Sequence, residues 1–162
     1  MRSSILALWA IALAIPSAAS AQQWTPEEQE LIDNIKMCWD AWMEAVQAVD
    51  VEIYYQKCPQ AEDVSMWWTD FGAPEGRQMA RRNFQQIATV DRAWLDIRPV
   101  AVRIWGDVGM VQFYGYWSAN SPEGPVVTEF KRTEVFRRVD GQWVFLGGQG
   151  TPVSAADADP YK

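Results

Sequence analysis

The chain predicts an α+β domain in which helices cover one face of a single antiparallel sheet. Two observations carry that prediction. Apolar residues recur at helical spacing through the N-terminal third, and from Trp94 onward the pattern changes to a period of two. A third observation fixes the last part of the sheet. The alternating runs Thr128–Val139 and Gln142–Leu146 are joined by Asp140-Gly141, a pair that tolerates positive φ at both centres of a type I′ turn and so matches hairpin twist.

Thr25-Pro26-Glu27-Glu28 opens the first helix: Thr25 can cap it, Pro26 fits its first turn, and Glu28 stands where a capping box places its acid. Leu31, Ile32, Ile35, Cys38, Trp39, Trp42, Met43, Val46 and Val49 then form a broad buried stripe. A second helix is predicted over Asp50 to Lys57, stopping before Pro59. Val64 to Phe71 reads as a short strand or an irregular lip, ended by Gly72-Ala73-Pro74. Glu75 to Ala88 reads as a third helix, with Met79, Ala80, Phe84 and Ile87 facing inward.

The sheet follows. Trp94 to Trp105 is a long strand in which Pro99 marks a bulge or an edge, Gly106 to Gly109 is a tight connection, and Met110 to Ser118 is the returning strand. Asn120 to Pro125 reads as a loop, and the hairpin Val126 to Gly148 closes the meander. Thr151 to Lys162, rich in Ala and Asp, lacks apolar mass and is expected to be a disordered acidic tail.

The first residues read as an export signal: Arg2 supplies a positive start, Ile5 to Ile15 is apolar, and Ala19-Ser20-Ala21 offers a cleavage site after Ala21. The apolar run is too short to span a bilayer. Residues 1–21 are therefore expected to be removed and residues 22–150 to form one domain, soluble in the periplasm or secreted, with no membrane partner. Removing the signal takes away one basic residue, Arg2, and no acidic one, which moves the formal charge from −7 to −8. Nucleic acid is excluded as a partner, because neutralising phosphates needs a basic face.

Two cysteines, Cys38 and Cys58, would enter an oxidising compartment, where a pair in a small domain favours a bridge over two free thiols. On one straight helix at ~1.5 Å rise they would lie roughly 30 Å apart. A disulfide permits only ~5.5 Å between Cα atoms, so a bridge requires the chain to fold back between Val46 and Pro59.

The chain has no histidine. That removes Ser-His-Asp and Cys-His nucleophiles and the commonest zinc and iron ligand, so neither a metal nor another cofactor is expected. Gly147-Gly148-Gln149-Gly150-Thr151 lacks the lysine of a phosphate-cradling loop, and its glycines read as bending or close packing of the last strand.

The helices-then-meander order resembles the SnoaL-like branch of the nuclear transport factor 2-like superfamily. So do the phrases from Arg98 to Tyr114 and from Arg132 to Trp143, over about Trp24 to Pro152. They are also similar to the association domain of calcium/calmodulin-dependent kinase. The resemblance implies a cone-like sheet wrapped around a long N-terminal helix, with three helices before the meander, an internal pocket and a homodimer. It spans isomerases, dehydratases, epoxide hydrolases and non-catalytic binding or assembly domains, so activity must be argued from the site. Relatives with this ending often carry a histidine in the last strand, where this chain reads Leu146 to Gly150.

Chemistry therefore falls to carboxylates, tyrosines, arginines and tryptophans. Asp70, following Met66-Trp67-Trp68-Thr69, is a candidate acid or base, since aromatic surroundings raise a carboxyl pKa; the alternative is an aspartate capping a turn. Tyr114 and Tyr116 share one strand face and can donate to an oxyanion if that face is concave, or be ordinary structural aromatics. Arg132 and Glu134 lie between Phe130 and Phe136 on one face, where Arg132 can hold a carboxylate or be consumed by Glu134. Trp67, Trp68, Arg132, Glu134 and Gln149 are the candidate ligand contacts. Three functions stay open: a binding domain for a small apolar or aromatic molecule, a metal-free acid–base lyase or isomerase, and an assembly module filled by its own aromatics.

Overall fold

The computed structural model describes residues 23–68, 75–76, 84, 91–121 and 123–153. Helix α1 spans Pro26–Ala48 and α2 spans Val51–Lys57. The strands are β1 Gln60–Trp68, β2 Glu75–Gly76, β3 Asp91–Trp105, β4 Val108–Ser121, β5 Gly124–Val139 and β6 Gln142–Pro152. They form one six-stranded sheet in the order β2-β1-β6-β5-β4-β3. The meander β3 to β6 is antiparallel throughout, but β1 joins β6 in parallel, so the sheet is mixed.

Thr25 caps α1 through a reciprocal pair: its hydroxyl accepts from the Glu28 backbone N–H at 3.3 Å, and its own N–H donates to the Glu28 carboxylate at 2.8 Å. That hydrogen bonding holds the Glu28 pKa below its usual value. The helix ends at Val49, which takes the left-handed conformation at φ 57°. The chain then reverses into α2, capped by Asp50, and the fold-back brings the Cys38 and Cys58 Cα atoms to 4.8 Å in a disulfide. From there the Pro59 carbonyl accepts from Phe145 N–H at 2.8 Å, tying the start of β1 to β6.

One buried cluster gathers Leu31, Ile32, Ile35 and Cys38 from α1 against Val102, Val111, Phe113, Phe130, Phe136, Trp143 and Phe145. The strands reach it by alternation, and β3 needs a bulge to do so. Ile97 pairs with Gly115 and Pro99 with Phe113, yet Ala101 pairs with Gln112 and the buried Val102 with Val111. The extra residue, Val100, shifts the phase so that both halves of the strand point apolar residues inward; an unbulged strand would have turned Arg103 to the core. Pro99 thus sits at a bulge and on an edge strand at once. Another irregularity lies between Val135 and Phe136, where Leu146 is the extra residue of β6. Such bulges bend the strand that carries them and increase its local twist.

Gly147 follows that bulge at φ +152°, and a Cβ there would stand 2.1 Å from the Ser65 carbonyl oxygen of β1. The glycine is what lets β1 approach β6. Asp140 and Gly141 have φ 50° and 81°, the two positive values the final hairpin turn requires.

Several boundaries differ from the sequence reading. Asn120 to Pro125 is not a loop, because β4 continues to Ser121 and pairs it with Gly124, whose φ of +121° allows the tight reversal. Strand β6 extends through Thr151 and Pro152, and Val153 N–H donates to the Glu129 carbonyl. Glu75 and Gly76 pair with β1 as a strand instead of opening a helix. Phe84 is helical and buried, packing edge-on to Trp42 at 5.3 Å between ring centroids; the rest of the expected third helix lies outside the described residues. So do residues 1–22 and 154–162.

Candidate functional site

Cross-strand pairing decides which side chains meet. On β5 the inward row is Phe130, Arg132, Glu134 and Phe136, opposite Gly115, Phe113, Val111 and Gly109 of β4. Gly115 leaves room for the Phe130 ring; a Cβ there would lie 2.1 Å from it. The row places a cation and an anion two residues apart inside an apolar shell. Arg132 Nε lies 2.7 Å from Glu134 Oε1, with the two side chains only 9% and 4% exposed.

The pair is enclosed from α1, α2 and β1. The Arg132 guanidinium carbon stands 4.5 Å from the centre of the Trp39 ring, and Arg132 Nη2 donates to Met66 Sδ at 2.9 Å. Burial pushes the Glu134 carboxyl above its ordinary range, while the Arg132 charge and then Trp39 oppose the shift. The Tyr54 hydroxyl of α2 is raised too, chiefly by burial and then by the Glu134 charge. Arg132 Nε is close to the carboxylate but not aligned with it as a hydrogen bond, and Trp39 Nε1 is buried without an aligned acceptor. Both donors nonetheless face the Glu134 carboxylate, and each favours its charged form.

Trp39 also belongs to a second feature. A half-open cleft of about 260 Å³ lies between α1 and the edge strand β3, lined by Lys36, Trp39, Asp40, Leu95, Asp96 and Ile97. Asp96 is held by Arg98, Nε to Oδ2 at 3.0 Å. Among the described residues no group of three or more His, Cys, Asp or Glu side chains is placed to hold a metal ion.

The sequence candidates are distributed unevenly over this geometry. Arg132 and Glu134 share the buried face and pair with each other. Tyr114 and Tyr116 do share a face, but it is the outer one: Phe113 and Val111 take the core positions, so the alternating tyrosines point away from α1. Tyr114 is exposed, and Tyr116 donates to Glu129 Oε1 at 2.8 Å, which raises its hydroxyl pKa. The concave oxyanion face proposed for them is therefore not theirs. Gln149 pairs with Thr133 on the same outer face, because the glycine before it, Gly148, takes the inward position opposite Glu134. Trp67 and Trp68 are strand positions of β1 whose side chains lie outside the described part, and Asp70 lies outside the described residues altogether. A cleft lined by Trp67, Tyr114, Tyr116 and Arg132 is not what the described residues form.

Sequence reasoning placed Trp39 in the helix stripe without seeing it as a site residue, and missed Tyr54, Met66, Lys36 and Asp40. Trp39 carried a detectable signal, since it is an aromatic on the stripe adjacent to a bridged cysteine. Met66 and Tyr54 carried none.

A bulge-bent sheet packed on α1, with a charged pair enclosed on its inner face, defines the curved-sheet α+β class. The chain belongs to the SnoaL-like domain family, whose model matches residues 35–151. Among solved structures it is similar to a candidate dehydratase of the NTF2-like family from Streptomyces avermitilis, with a TM-score of 0.62 at 20% identity, covering 76% of this chain and 97% of that one. A nuclear transport factor 2-like superfamily protein from Salmonella enterica gives 0.64 at 12% identity, covering 83% and 96%. The association domain of the C. elegans kinase CaMKII gives 0.58 at 17% identity, covering 78% and 98%. At these identities the likeness establishes fold alone. No curated protein matches the chain.

Proposed function

We propose that this chain is an exported SnoaL-like domain that binds a small apolar or aromatic molecule without turning it over. The observation that carries the reading is the α1–β3 cleft, whose apolar lining is Trp39, Leu95 and Ile97 and whose rim is charged. Of the lining residues described, half are apolar and half charged, and a concave site with apolar walls and fixed polar groups is the kind that takes a small molecule. The volume is close to the lower end of the ~300–1,000 Å³ range for such pockets, which favours a compact ligand.

Two features support export: the signal-like Met1 to Ala21 and the Cys38–Cys58 bridge, which persists best outside a reducing cytosol. Among the described residues no helix is long and apolar enough to cross a membrane. A homodimer through the outer sheet face fits the exposure of Tyr114 and Val127 there.

The acid–base alternative retains one favourable observation, the raised pKa of the buried Glu134. Its tyrosine donors stand on the outer face, away from α1, while its expected base Asp70 lies outside the described residues; the tyrosine placement favours the binding reading. The assembly alternative is favoured by the packing of Trp39 on Phe113 and Phe130, with centroids at 6.2 and 5.9 Å, but it leaves the cleft unexplained.

Native mass spectrometry of protein purified from its own host tests the proposal. The expected spectrum contains a bound small molecule that is lost on Trp39→Ala. Spectra showing only unliganded protein, or a bound mass indifferent to Trp39, would overturn it.

A further inference from the structure

We propose that the α1–β3 cleft selects a zwitterion, an apolar α-amino acid or close analogue, with Lys36 taking the carboxylate, Asp40 the ammonium group, and Trp39, Leu95 and Ile97 the side chain. This rests on the small-molecule-binding reading and names the ligand class for the same cleft.

The argument starts from charge. Lys36 and Asp40 are one helical turn apart on α1 and flank Trp39, and all three line the cleft. Both charged residues are exposed, and neither is engaged in an ion pair or hydrogen bond among the described residues. Asp96, the third charge on the lining, is already neutralised by Arg98. Among the described residues the cleft therefore offers one free cation and one free anion beside an aromatic and aliphatic floor.

A ligand with a single charge is mismatched to that rim. A monoanion satisfies Lys36 but faces Asp40; a monocation satisfies Asp40 but faces Lys36. A neutral ligand uses neither. A molecule carrying an ammonium and a carboxylate group on one carbon satisfies both at once, and the remaining apolar group has Trp39, Leu95 and Ile97 to cover. The cleft of about 260 Å³ suits a molecule of that size.

The test uses four probes of one shape: L-phenylalanine, phenethylamine, 3-phenylpropanoate and 2-phenylethanol. Each is titrated into the mature, disulfide-intact protein labelled with ¹⁵N, following the indole N–H resonance that disappears in Trp39→Phe. L-phenylalanine is expected to shift that resonance and to bind most tightly. The singly charged probes are expected to bind roughly three- to tenfold more weakly, the range set by one exposed ion pair of up to ~1 kcal/mol plus a like-charge contact.

Lys36→Gln should remove the advantage of L-phenylalanine over phenethylamine, and Asp40→Asn its advantage over 3-phenylpropanoate. Both residues are exposed, so unchanged urea midpoints will confirm folding. If 2-phenylethanol binds as tightly as L-phenylalanine with the same Trp39 shift, charge selection is refuted while small-molecule binding survives. If L-phenylalanine does not move the Trp39 resonance, the zwitterion assignment is overturned. The bound-mass experiment on host-purified protein then decides separately whether the cleft binds anything.

Discussion

Replacing Arg132 with Met should destabilise this domain strongly near neutral pH and only weakly near pH 5. Arg132 is the cation facing a carboxylate that is 4% exposed. Removing it leaves Glu134 buried among Trp39, Met66 and the phenylalanines of β4 and β5. The carboxyl then has two choices: stay ionised without a partner, at ~3–5 kcal/mol, or take up a proton. Protonation caps the penalty. From the ordinary carboxyl value of 4.5, neutralising the group costs about 3.4 kcal/mol at pH 7 and about 0.7 kcal/mol at pH 5, at 1.36 kcal/mol per pH unit.

The sign follows from linkage. A carboxyl whose folded pKa is raised binds more protons folded than unfolded, so stability is lost as pH rises from the unfolded value through the folded one. In wild type Arg132 opposes that rise, and the variant loses the opposition. Urea denaturation of wild type and Arg132→Met at both pH values, with the disulfide intact, measures the difference. With a slope of ~2 kcal/mol/M, the midpoint should fall by up to about 1.7 M at pH 7 and by no more than about 0.35 M at pH 5. The double variant Arg132→Met/Glu134→Leu should recover most of the loss at pH 7, since a buried pair is often replaceable by apolar residues. An equal loss at both pH values, or no recovery in the double variant, would refute the buried-pair reasoning.

Reducing the Cys38–Cys58 bridge, or replacing both residues with Ala, should cost about 3 kcal/mol by the loop-entropy estimate for a separation of 20 residues, measured by urea denaturation with and without reductant. Gly115→Ala should cost about 1–3 kcal/mol through overlap with the Phe130 ring, and Phe130→Leu in the same chain should relieve part of it in thermal unfolding. Arg138 reaches Glu30 at 3.0 Å and Glu27 at 3.5 Å and lies 4.4 Å over the Trp143 ring. Arg138→Gln should cost about 1 kcal/mol, with the ion-pair part fading in high salt as thermal melts at two ionic strengths will show.

The sheet was legible because alternation is a local code. The Asp140-Gly141 turn, the start of α1 at Thr25 and the inward row Phe130 to Phe136 could each be read from a few neighbouring residues. The bulge at Val100 was legible only as an ambiguity at Pro99, since its consequence, a change of phase, depends on which strand lies alongside. The tyrosines show the limit of the same code. Alternation put Tyr114 and Tyr116 together correctly, but the identity of the inward face depends on α1 packing against Phe113, a contact made some seventy residues away in sequence. The parallel union of β1 with β6 left no local trace except Gly147, which read as bending or close packing and proves to be both.

The covalent bridge and the candidate site are not independent. Trp39 follows Cys38 directly on α1, and Tyr54 lies one turn before Cys58, whose N–H donates to the Tyr54 carbonyl at 2.8 Å. These are two of the aromatic walls around the Arg132–Glu134 pair, and Trp39 is the residue that the pair and the cleft share. Closing the bridge therefore restricts how far α2 can move from α1, and with it the space around the buried charges. An indole held by a helix, a guanidinium and a disulfide neighbour has little freedom to reorient. A ligand over it would meet a surface whose ordering cost is already met in the folded state, which favours binding by a preorganised cleft over binding by rearrangement.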